Sequence, residues 1–219
     1  MKNYLTILFF ASLFLFACKD ADDEQYSPRY ANFSNLKVGN YWVYERYKLD
    51  SNGVYTALGK LDSTFVEKDT LINGLTYFKY MDDQFGTGPG FEATFLRDSL
   101  HYLVELNGRI RFSSENFSDT LFQFYITTSP HAGTDTLCFI YCKMTDNDLP
   151  VATPAGTFVS KNAQEVYVMF PGFDQGGKVR PLQRRYAEDV GLIEETLPFF
   201  ISDVSKSYTV RRLLRYGKN

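Results

Sequence analysis

The sequence predicts an all-β protein built on one curved antiparallel sheet. Three observations favour this fold class. The chain carries 20 Phe and 16 Tyr in 219 residues, and aromatic side chains fit the pleated, half-buried surface of a sheet. Turn signals recur roughly every 8–15 residues, and no stretch has a convincing helical period. About twelve strands are expected, arranged as a half-barrel, a barrel or a sandwich.

Short turns separate the strands of the first half. Gly39-Asn40 precedes a strongly aromatic strand, and Ser51-Asn52-Gly53 is a turn signal. The clearest hairpin is 102–112, where Asn107-Gly108 predicts a type I′ turn because that pair tolerates two positive φ angles. The strands expected here are 41–47, 55–68, 75–80, 91–96 and the two arms of 102–112.

The second half continues in the same way. Residues 171–181 are rich in glycine and proline and are expected to form a long loop. No internal repeat is strong enough to indicate a propeller, so residues 33–219 are predicted to form a single all-β domain. The strands expected here are 120–127, 135–144, 156–161, 164–170, 182–187, 191–196 and 207–215.

The first 17 residues have the layout of a secretory signal peptide. Lys2 provides the positive start, residues 4–17 are apolar, and Ala17 is the small residue before the cleavage site. As a helix the apolar run would be about 21 Å long at roughly 1.5 Å per residue. A bilayer core is about 30 Å thick, so a signal peptide is favoured over a membrane span.

Cys18 follows Ala17 directly, and the stretch Leu15–Cys18 resembles a bacterial lipobox. In lipoproteins of this kind the cysteine thiol is diacylglycerated and becomes the mature N-terminus. The resemblance implies that a lipid on Cys18 holds the protein at a membrane. Plain secretion, which would leave Cys18 as a free thiol, is the alternative.

Residues 18–32 are predicted to be a flexible tether. Its first part, 19–24, is acidic and has no apolar side chain larger than alanine, so it cannot bury enough surface to fold. A lysine followed by acidic residues after the lipid cysteine also resembles the surface-export signal of Bacteroidetes lipoproteins, which implies the outer face of the outer membrane. The candidate export signal consists of Lys19, Asp20, Asp22, Asp23 and Glu24.

Cys138 and Cys142 lie four residues apart in one predicted strand. Their Cα atoms would be roughly 13 Å apart at about 3.3 Å per residue, whereas a disulfide requires about 7 Å or less. We therefore expect two buried free thiols.

Composition and motifs argue against several functional classes. The net charge of −3 gives no electrostatic basis for binding nucleic acid. The sequence has no Gly-x-Ser-x-Gly elbow or His-Glu-x-x-His helix. Asp146–Asp148 lacks the glycine of a calcium loop, and Glu194 and Glu195 would face opposite sides of a strand. We predict a protein without metal, cofactor or catalytic residues; a hydrolase with scattered carboxylates is the remaining enzymatic alternative.

Four aromatic residues in the first strand are the candidate ligand contacts. On a concave sheet they would present flat apolar faces to an apolar or glycan ligand. The same side chains could instead fill the core, and the protein could instead be a structural or assembly subunit of a surface complex, with outer-membrane proteins as partners. The candidate contacts are Tyr41, Trp42, Tyr44 and Tyr47.

Three stretches resemble a known group of proteins. They are Leu36–Tyr44 (LKVGNYWVY), Pro154–Phe158 (PAGTF) and Tyr186–Ile193 (YAEDVGLI). In that order they are similar to uncharacterised Bacteroidetes lipoproteins and, more distantly, to domains of unknown function with the pattern PAGTF…YA-x-x-VG-L. The resemblance implies a sheet curved like the half-barrel of periplasmic lipoprotein carriers, and it implies no activity.

The anchor and the address can be tested together. Cys18→Ala should abolish labelling by a fatty-acid analogue and release the protein from membranes. Alanine at Asp20, Asp22, Asp23 and Glu24 should leave the protein lipidated but hidden from protease added to intact cells. Retention of the Cys18→Ala protein in the membrane fraction would contradict the anchor.

Overall fold

The computed structural model describes residues 30–83, 90–128, 135–172, 179–197 and 208–219. This part of the chain contains thirteen strands and no helix. Among these residues, no helix is long and apolar enough to cross a membrane. The strands are β1 (Tyr41–Leu49), β2 (Tyr55–Ile72), β3 (Leu75–Asp83), β4 (Phe91–Ser99), β5 (Tyr102–Glu105), β6 (Ile110–Ser113), β7 (Thr120–Thr127), β8 (Thr136–Met144), β9 (Leu149–Thr153), β10 (Gly156–Met169), β11 (Val179–Ala187), β12 (Gly191–Thr196) and β13 (Tyr208–Gly217).

The strands form one antiparallel sheet that curls into a nearly closed barrel. Its order is β6-β5-β4-β3-β2-β1-β13-β12-β11-β10-β8-β7, and β9 pairs with β10 outside this path. The first strand therefore pairs with the last, from Tyr41 opposite Gly217 to Leu49 opposite Tyr208. The predicted all-β fold with an antiparallel, curved, barrel-like sheet is confirmed.

Two strand predictions differ from the structure. The segments predicted as 156–161 and 164–170 form the single long strand β10, because its ends pair with different partners: 156–160 with β9 and 163–169 with β8. The sequence analysis missed β9 itself. Its first residues, Leu149 and Pro150, follow a polar loop and have no alternating pattern that would indicate a strand.

The predicted type I′ turn at Asn107-Gly108 is wrong. Of the two residues only Gly108 has a positive φ, 87°, and its N–H donates to Glu105 O at 2.9 Å. This geometry is a type I turn followed by a glycine bulge. Asn73 and Gly74, by contrast, have φ angles of 50° and 78° and form the two-residue connection between β2 and β3.

Side chains close the barrel where the sheet path ends. The edge strands β6 and β7 are not hydrogen-bonded neighbours, yet β6 lies close to β7, β8 and β10. The Phe112 ring on β6 packs 4.6 Å from the Tyr186 ring on β11. Ser113 N donates to Met144 Sδ on β8 at 3.4 Å.

The described lead-in, residues 30–38, covers one end of the barrel. Phe33 is buried in the main core and its ring lies 5.4 Å from that of Phe112. Asp189 N, in the turn between β11 and β12, donates to Asn32 O at 2.7 Å. This end, which we call the lead-in end, also holds the connection between β4 and β5.

The three stretches that resemble known lipoproteins form contacts that hold the strands together. The Trp42 indole donates to Val190 O at 2.6 Å, and a Cβ at Gly191 would lie 3.0 Å from Trp42 Nε1 at a φ of +102°. Glycine is therefore needed where the β11–β12 turn meets Trp42. In the stretch Pro154–Phe158, Ala155 N donates to Leu213 O on β13 at 3.0 Å, so the β9–β10 hairpin contacts β13 in addition to its neighbours in the sheet.

Cys138 and Cys142 are both free and buried, which confirms the prediction. Their side chains share one face of β8 with Ile140 and Met144, and all four residues are in the apolar core. Burial raises the pKa of the Cys142 thiol to about 12, so this thiol stays protonated at neutral pH.

Buried ion pairs cross the barrel between two apolar clusters. On β11, Arg184 lies between Leu182 of the smaller cluster and Tyr186 of the larger one. On β10, Glu165 lies in the same way between Tyr167 and Ala163. We call this set of six residues the charged belt: Asp82, Arg109, Glu165, Arg184, Glu195 and Arg211.

The belt forms a continuous chain of hydrogen-bonded charges. Arg211 donates to both Asp82 carboxylate oxygens at 2.7 Å and through Nε to Glu195 at 2.9 Å. Arg184 joins Glu195 at 2.6 Å to Glu165 at 2.7 Å. Since β3 and β13 are separated by two strands, the Arg211–Asp82 pair spans the barrel interior.

Arg109 completes the belt across the seam. It lies in the turn between β5 and β6, and its Nη2 donates to Glu165 on β10 at 2.9 Å. Its guanidinium carbon sits 3.9 Å from the centroid of the Phe122 ring on β7. Arg109 thus links the β5–β6 turn to two strands, β7 and β10, that do not pair with β5 or β6.

Neutralising the central carboxylate of the belt should destabilise the protein. Burial alone would raise the pKa of Glu195, but Arg211 and Arg184 outweigh it and lower the pKa from 4.5 to about 2. Glu195→Gln should reduce the free energy of unfolding at pH 7 by about 3–5 kcal/mol, because it leaves buried arginines undercompensated. Urea unfolding followed by the fluorescence of Trp42, the only tryptophan, measures the loss.

The pH dependence provides the control. A carboxylate with a lowered folded-state pKa contributes stability above its unfolded pKa and loses it as the pH falls through the folded value. The difference between wild type and Glu195→Gln should therefore shrink between pH 4.5 and about pH 2. Glu188→Gln, at an exposed acid near the lead-in end, should change stability by less than about 0.5 kcal/mol; equal losses in both variants would contradict the belt's role.

Candidate functional site

A pocket with an aromatic lining at the lead-in end is the candidate site. It lies between the lead-in and the β4–β5 connection, and its cavity volume is about 140 Å³. We call it the lead-in pocket. The side chains that shape it are those of Tyr30, Phe33, Asp98, His101, Tyr102 and Phe112.

A turn held by a side-chain hydrogen bond positions the lead-in residues that form one wall of the pocket. Asn32 Oδ1 accepts a hydrogen bond from Asn35 N at 2.9 Å, an Asx-type turn in which the side chain replaces a backbone acceptor. Asn35 has a φ of 50°, a conformation that asparagine tolerates. The turn directs Phe33 into the core and leaves Tyr30 beside the β4–β5 connection.

The opposite wall is the tight connection between β4 and β5. Leu100 has a φ of 55°, which is unusual for a bulky residue and marks the reversal of the chain. Ser114 N donates to His101 O at 2.9 Å, so the turn is held by the segment after β6. His101 and Tyr102 thereby reach the pocket from a fixed backbone.

Aromatic rings dominate the lining of the pocket. The imidazole of His101 lies between two tyrosines, 3.9 Å from the Tyr102 centroid and 5.5 Å from that of Tyr30. Phe33 and Phe112 form a second ring pair in the wall. Tyrosine has a flat apolar ring and a polar hydroxyl, which suits ligands that have both an apolar face and polar groups.

The hydrogen bonds of His101 fix its tautomer. Its Nδ1 lies 2.8 Å from Ser113 Oγ, and that oxygen already accepts N–H donors from Glu115 at 3.2 Å and Asn116 at 2.8 Å. The serine hydroxyl therefore donates to Nδ1, and the proton of the neutral ring is on Nε2. Ser113 is fully buried and acts as a turn cap, which leaves it unsuited to nucleophilic attack.

Asp98 is the carboxylate of the pocket. Its Oδ2 accepts a hydrogen bond from Ser34 Oγ at 2.7 Å, and no described residue forms an ion pair with it. Surrounding protein atoms raise the pKa of Asp98 above its ordinary value, although the Ser34 hydrogen bond opposes the shift. The residue remains accessible to solvent, so a ligand can reach it.

The barrel interior offers a second and much smaller space. A cavity of about 20 Å³ lies beside the charged belt and is lined by Asp82, Arg111, Glu195 and Arg211, among others. That is the volume of about one water molecule. The pKa of Glu195 is about 2, so this carboxylate is ionised and unsuited to donating a proton near neutral pH.

The structure separates the four aromatic residues predicted as ligand contacts. Trp42 and Tyr44 are buried, and their polar atoms donate to Val190 O at 2.6 Å and Leu192 O at 2.9 Å. Tyr41 is 44% exposed. Tyr47 is half-buried, with its ring 6.1 Å from that of Tyr55. Alternation along β1 therefore places two of the four in the core and two on the outside.

The other predicted site residues fall outside the described residues. Cys18 and the candidate export signal, Lys19 to Glu24, both precede residue 30.

The loop Asp146–Asp148, which lacks the glycine of a calcium loop, binds a lysine. The ammonium group of Lys161 donates to Asn147 and, at 3.1 Å, to Asp148. A lysine thus supplies the positive charge there.

Sequence reasoning missed the lead-in pocket. Its residues come from the lead-in and the β4–β5 turn, which are 60 to 70 positions apart in sequence. The only local signal was Phe33, a large aromatic side chain in an otherwise polar stretch. His101 lies in the turn between β4 and β5, directly before the predicted hairpin 102–112.

Comparisons with known proteins give two weak structural similarities. No family model matches the sequence, and no curated protein matches it. One similar structure, from Bacteroides fragilis NCTC 9343, is provisionally described as an exported protein with a YmcC-like fold; it has 12% identity, covers 86% of this chain and 100% of its own, and has a TM-score of 0.43. The other, provisionally described as a lipoprotein of Parabacteroides distasonis ATCC 8503, has 12% identity, covers 87% and 100%, and has a TM-score of 0.45.

Proposed function

We propose that this chain is an extracytoplasmic, lipid-anchored binding module at the outer membrane that holds a small glycan or apolar ligand without catalysing a reaction. The anchor and address rest on the signal peptide 1–17, on Cys18 and on the acidic run that follows it. The lipid would make the membrane its first partner. Neither a cofactor nor nucleic acid forms part of the proposal.

The lead-in pocket is the observation that carries the binding role. Its volume of about 140 Å³ is far above the ~10–15 Å³ that one water needs. It is also below the ~300–1,000 Å³ of sites for drug-sized ligands. A single ring or a short apolar group matches this space, and the rings of Tyr30 and Tyr102 provide the flat faces for it.

Two features support binding without catalysis. The Ser113 hydroxyl beside His101 caps a turn, so this serine–histidine pair is structural. Asp98 is the only carboxylate among the described residues that line the pocket, whereas glycoside hydrolysis requires two. The scattered-carboxylate hydrolase is therefore the less favoured function.

The two histidines of the chain make the binding test specific. His131→Gln leaves His101 as the only histidine, so its imidazole C2–H resonance reports on the pocket alone. Titration with methyl glycosides of common hexoses, N-acetylglucosamine and octanoate should shift this resonance saturably for at least one probe. Tyr102→Ala should weaken that binding roughly fivefold, since a lost ring contact is worth about 1 kcal/mol.

Tyr41→Ala is the matched control. It removes an exposed tyrosine of the first strand and should leave the titration unchanged. If no probe moves the His101 resonance, the proposed ligand class is wrong. If Tyr41→Ala and Tyr102→Ala weaken binding equally, the ligand does not occupy the lead-in pocket.

A second candidate function, a subunit of a surface complex, is favoured by an aromatic strip on the outside of β7, β8 and β10. The Tyr125 ring lies 4.9 Å from that of Phe139 and 6.4 Å from that of Phe170. Tyr125 is 63% exposed and Phe170 37%. Exposed apolar patches of this kind mark contacts with other proteins.

Photo-crosslinking in cells tests this second function. A photoreactive residue at position 125 should give a discrete adduct of higher mass, and Phe170→Ser should reduce its yield because it removes part of the strip. The control position is Leu71, which is 71% exposed on β2. Identical adducts from both positions, or none from position 125, would contradict a partner at the strip.

A further inference from the structure

The lead-in pocket combines several aromatic rings with a carboxylate that forms no ion pair with a described residue. Among the described residues that line the pocket, Asp98 is the only one with an ordinarily ionised side chain. Its Oδ2 is held by Ser34 at 2.7 Å, and its Oδ1 accepts no hydrogen bond from a described residue. One oxygen is therefore positioned by the protein while the other is open to a ligand.

Two described cationic side chains close to the pocket residues have other partners. Arg97, next to Asp98 in the chain, donates to Tyr77 Oη at 3.2 Å and lies over that ring. Lys161, 5.7 Å from the centroid of Phe33, donates to Asn147 and Asp148. Among the described lining residues, Asp98 therefore gives the pocket a negative charge.

The faces of aromatic rings attract cations, since their quadrupoles place negative charge above the ring. Tyr30, Phe33, Tyr102 and Phe112 all line the pocket. A carboxylate beside several rings can bind an organic ammonium group. The positive charge of the ammonium pairs with the carboxylate, and its carbon substituents pack against the rings. A neutral sugar would use the rings and leave the carboxylate charge unneutralised.

We propose that the lead-in pocket binds a small ligand that carries an ammonium group, with Asp98 as the counter-ion and the rings of Tyr30 and Tyr102 as walls. This inference rests on the proposed binding function and adds an ammonium group to the glycan or apolar ligand proposed there. Ser34 positions the carboxylate. The raised pKa of Asp98 agrees with a carboxylate whose cationic partner is supplied by the ligand.

The ammonium group has two possible sources, a free amine or a lipid headgroup. Eleven residues lie between Cys18 and Tyr30, so the distance between these two residues is at most about 40 Å when the segment is fully extended. If Cys18 carries the lipid, the pocket therefore lies within reach of the membrane surface. Both sources present the same group to Asp98, and the experiment below distinguishes them.

A pair of matched probes tests the charge requirement. Choline and 3,3-dimethyl-1-butanol have nearly the same shape, but only choline is charged. In the His131→Gln protein, choline should shift the His101 C2–H resonance saturably, and the neutral alcohol should bind at least tenfold more weakly. Asp98→Asn should weaken choline binding at least tenfold, while Glu188→Gln, an exposed acid at the same end of the barrel, should not.

Equal binding of the two probes, or unchanged choline affinity in Asp98→Asn, would overturn the cation proposal and leave the pocket as a site for neutral ligands. If no probe, including the glycosides and octanoate, shifts the His101 resonance, the binding function itself is overturned. An unchanged Trp42 emission maximum in Asp98→Asn confirms that this variant is folded. A lower affinity for choline in this variant is then due to the missing counter-ion.

Vesicle flotation identifies the source of the ammonium group. The Cys18→Ala protein, which lacks the lipid anchor, is mixed with phosphatidylethanolamine-containing vesicles or with pure phosphatidylglycerol vesicles. Flotation with the former alone, and its loss in Cys18→Ala/Asp98→Asn, indicates a headgroup. Binding of choline without flotation indicates a free amine. Equal flotation with both vesicle types and in both variants would contradict headgroup recognition by Asp98.

Discussion

The charged belt is the constraint on which the barrel depends. Ionised groups are costly to bury, and that cost is offset only when every partner is in place. Arg211 meets this condition by binding Asp82 and Glu195 together, and Arg184 does so by binding Glu195 and Glu165. Because these residues come from five different strands, the belt is complete only when the walls of the barrel are correctly aligned.

The belt also compensates for a gap in backbone pairing. A closed barrel has no free strand edges, but here β6 and β7 end the path without pairing to each other. Arg109 spans this seam through Glu165 and Phe122, and Phe112 spans it nearer the lead-in end. Closure by side chains allows β5 and β6 to be only four residues long, and the short β4–β5 connection then lies beside the lead-in.

The lead-in pocket results from this arrangement. The lead-in covers the barrel end with Phe33, and the space that remains between it and His101 is not filled by other side chains. Most of the interior, in contrast, is occupied by the two apolar clusters and the belt, with a cavity of only about 20 Å³ beside it. Ligand binding at the end of the barrel is therefore favoured over binding inside it, and Trp42 serves as a core residue and as a probe of folding.

The sequence by itself determined the all-β class, the antiparallel curved sheet, most strand positions and the free state of Cys138 and Cys142. These features depend on side-chain alternation and turn residues, which are local. Only the tertiary structure decided that Trp42 and Tyr44 lie inside while Tyr41 lies outside, that the β9–β10 hairpin contacts β13, and that Asp98 and His101 line one pocket with Tyr30. Those outcomes depend on which strands become neighbours when β1 pairs with β13, and residues far apart in sequence carry no local signal of that pairing.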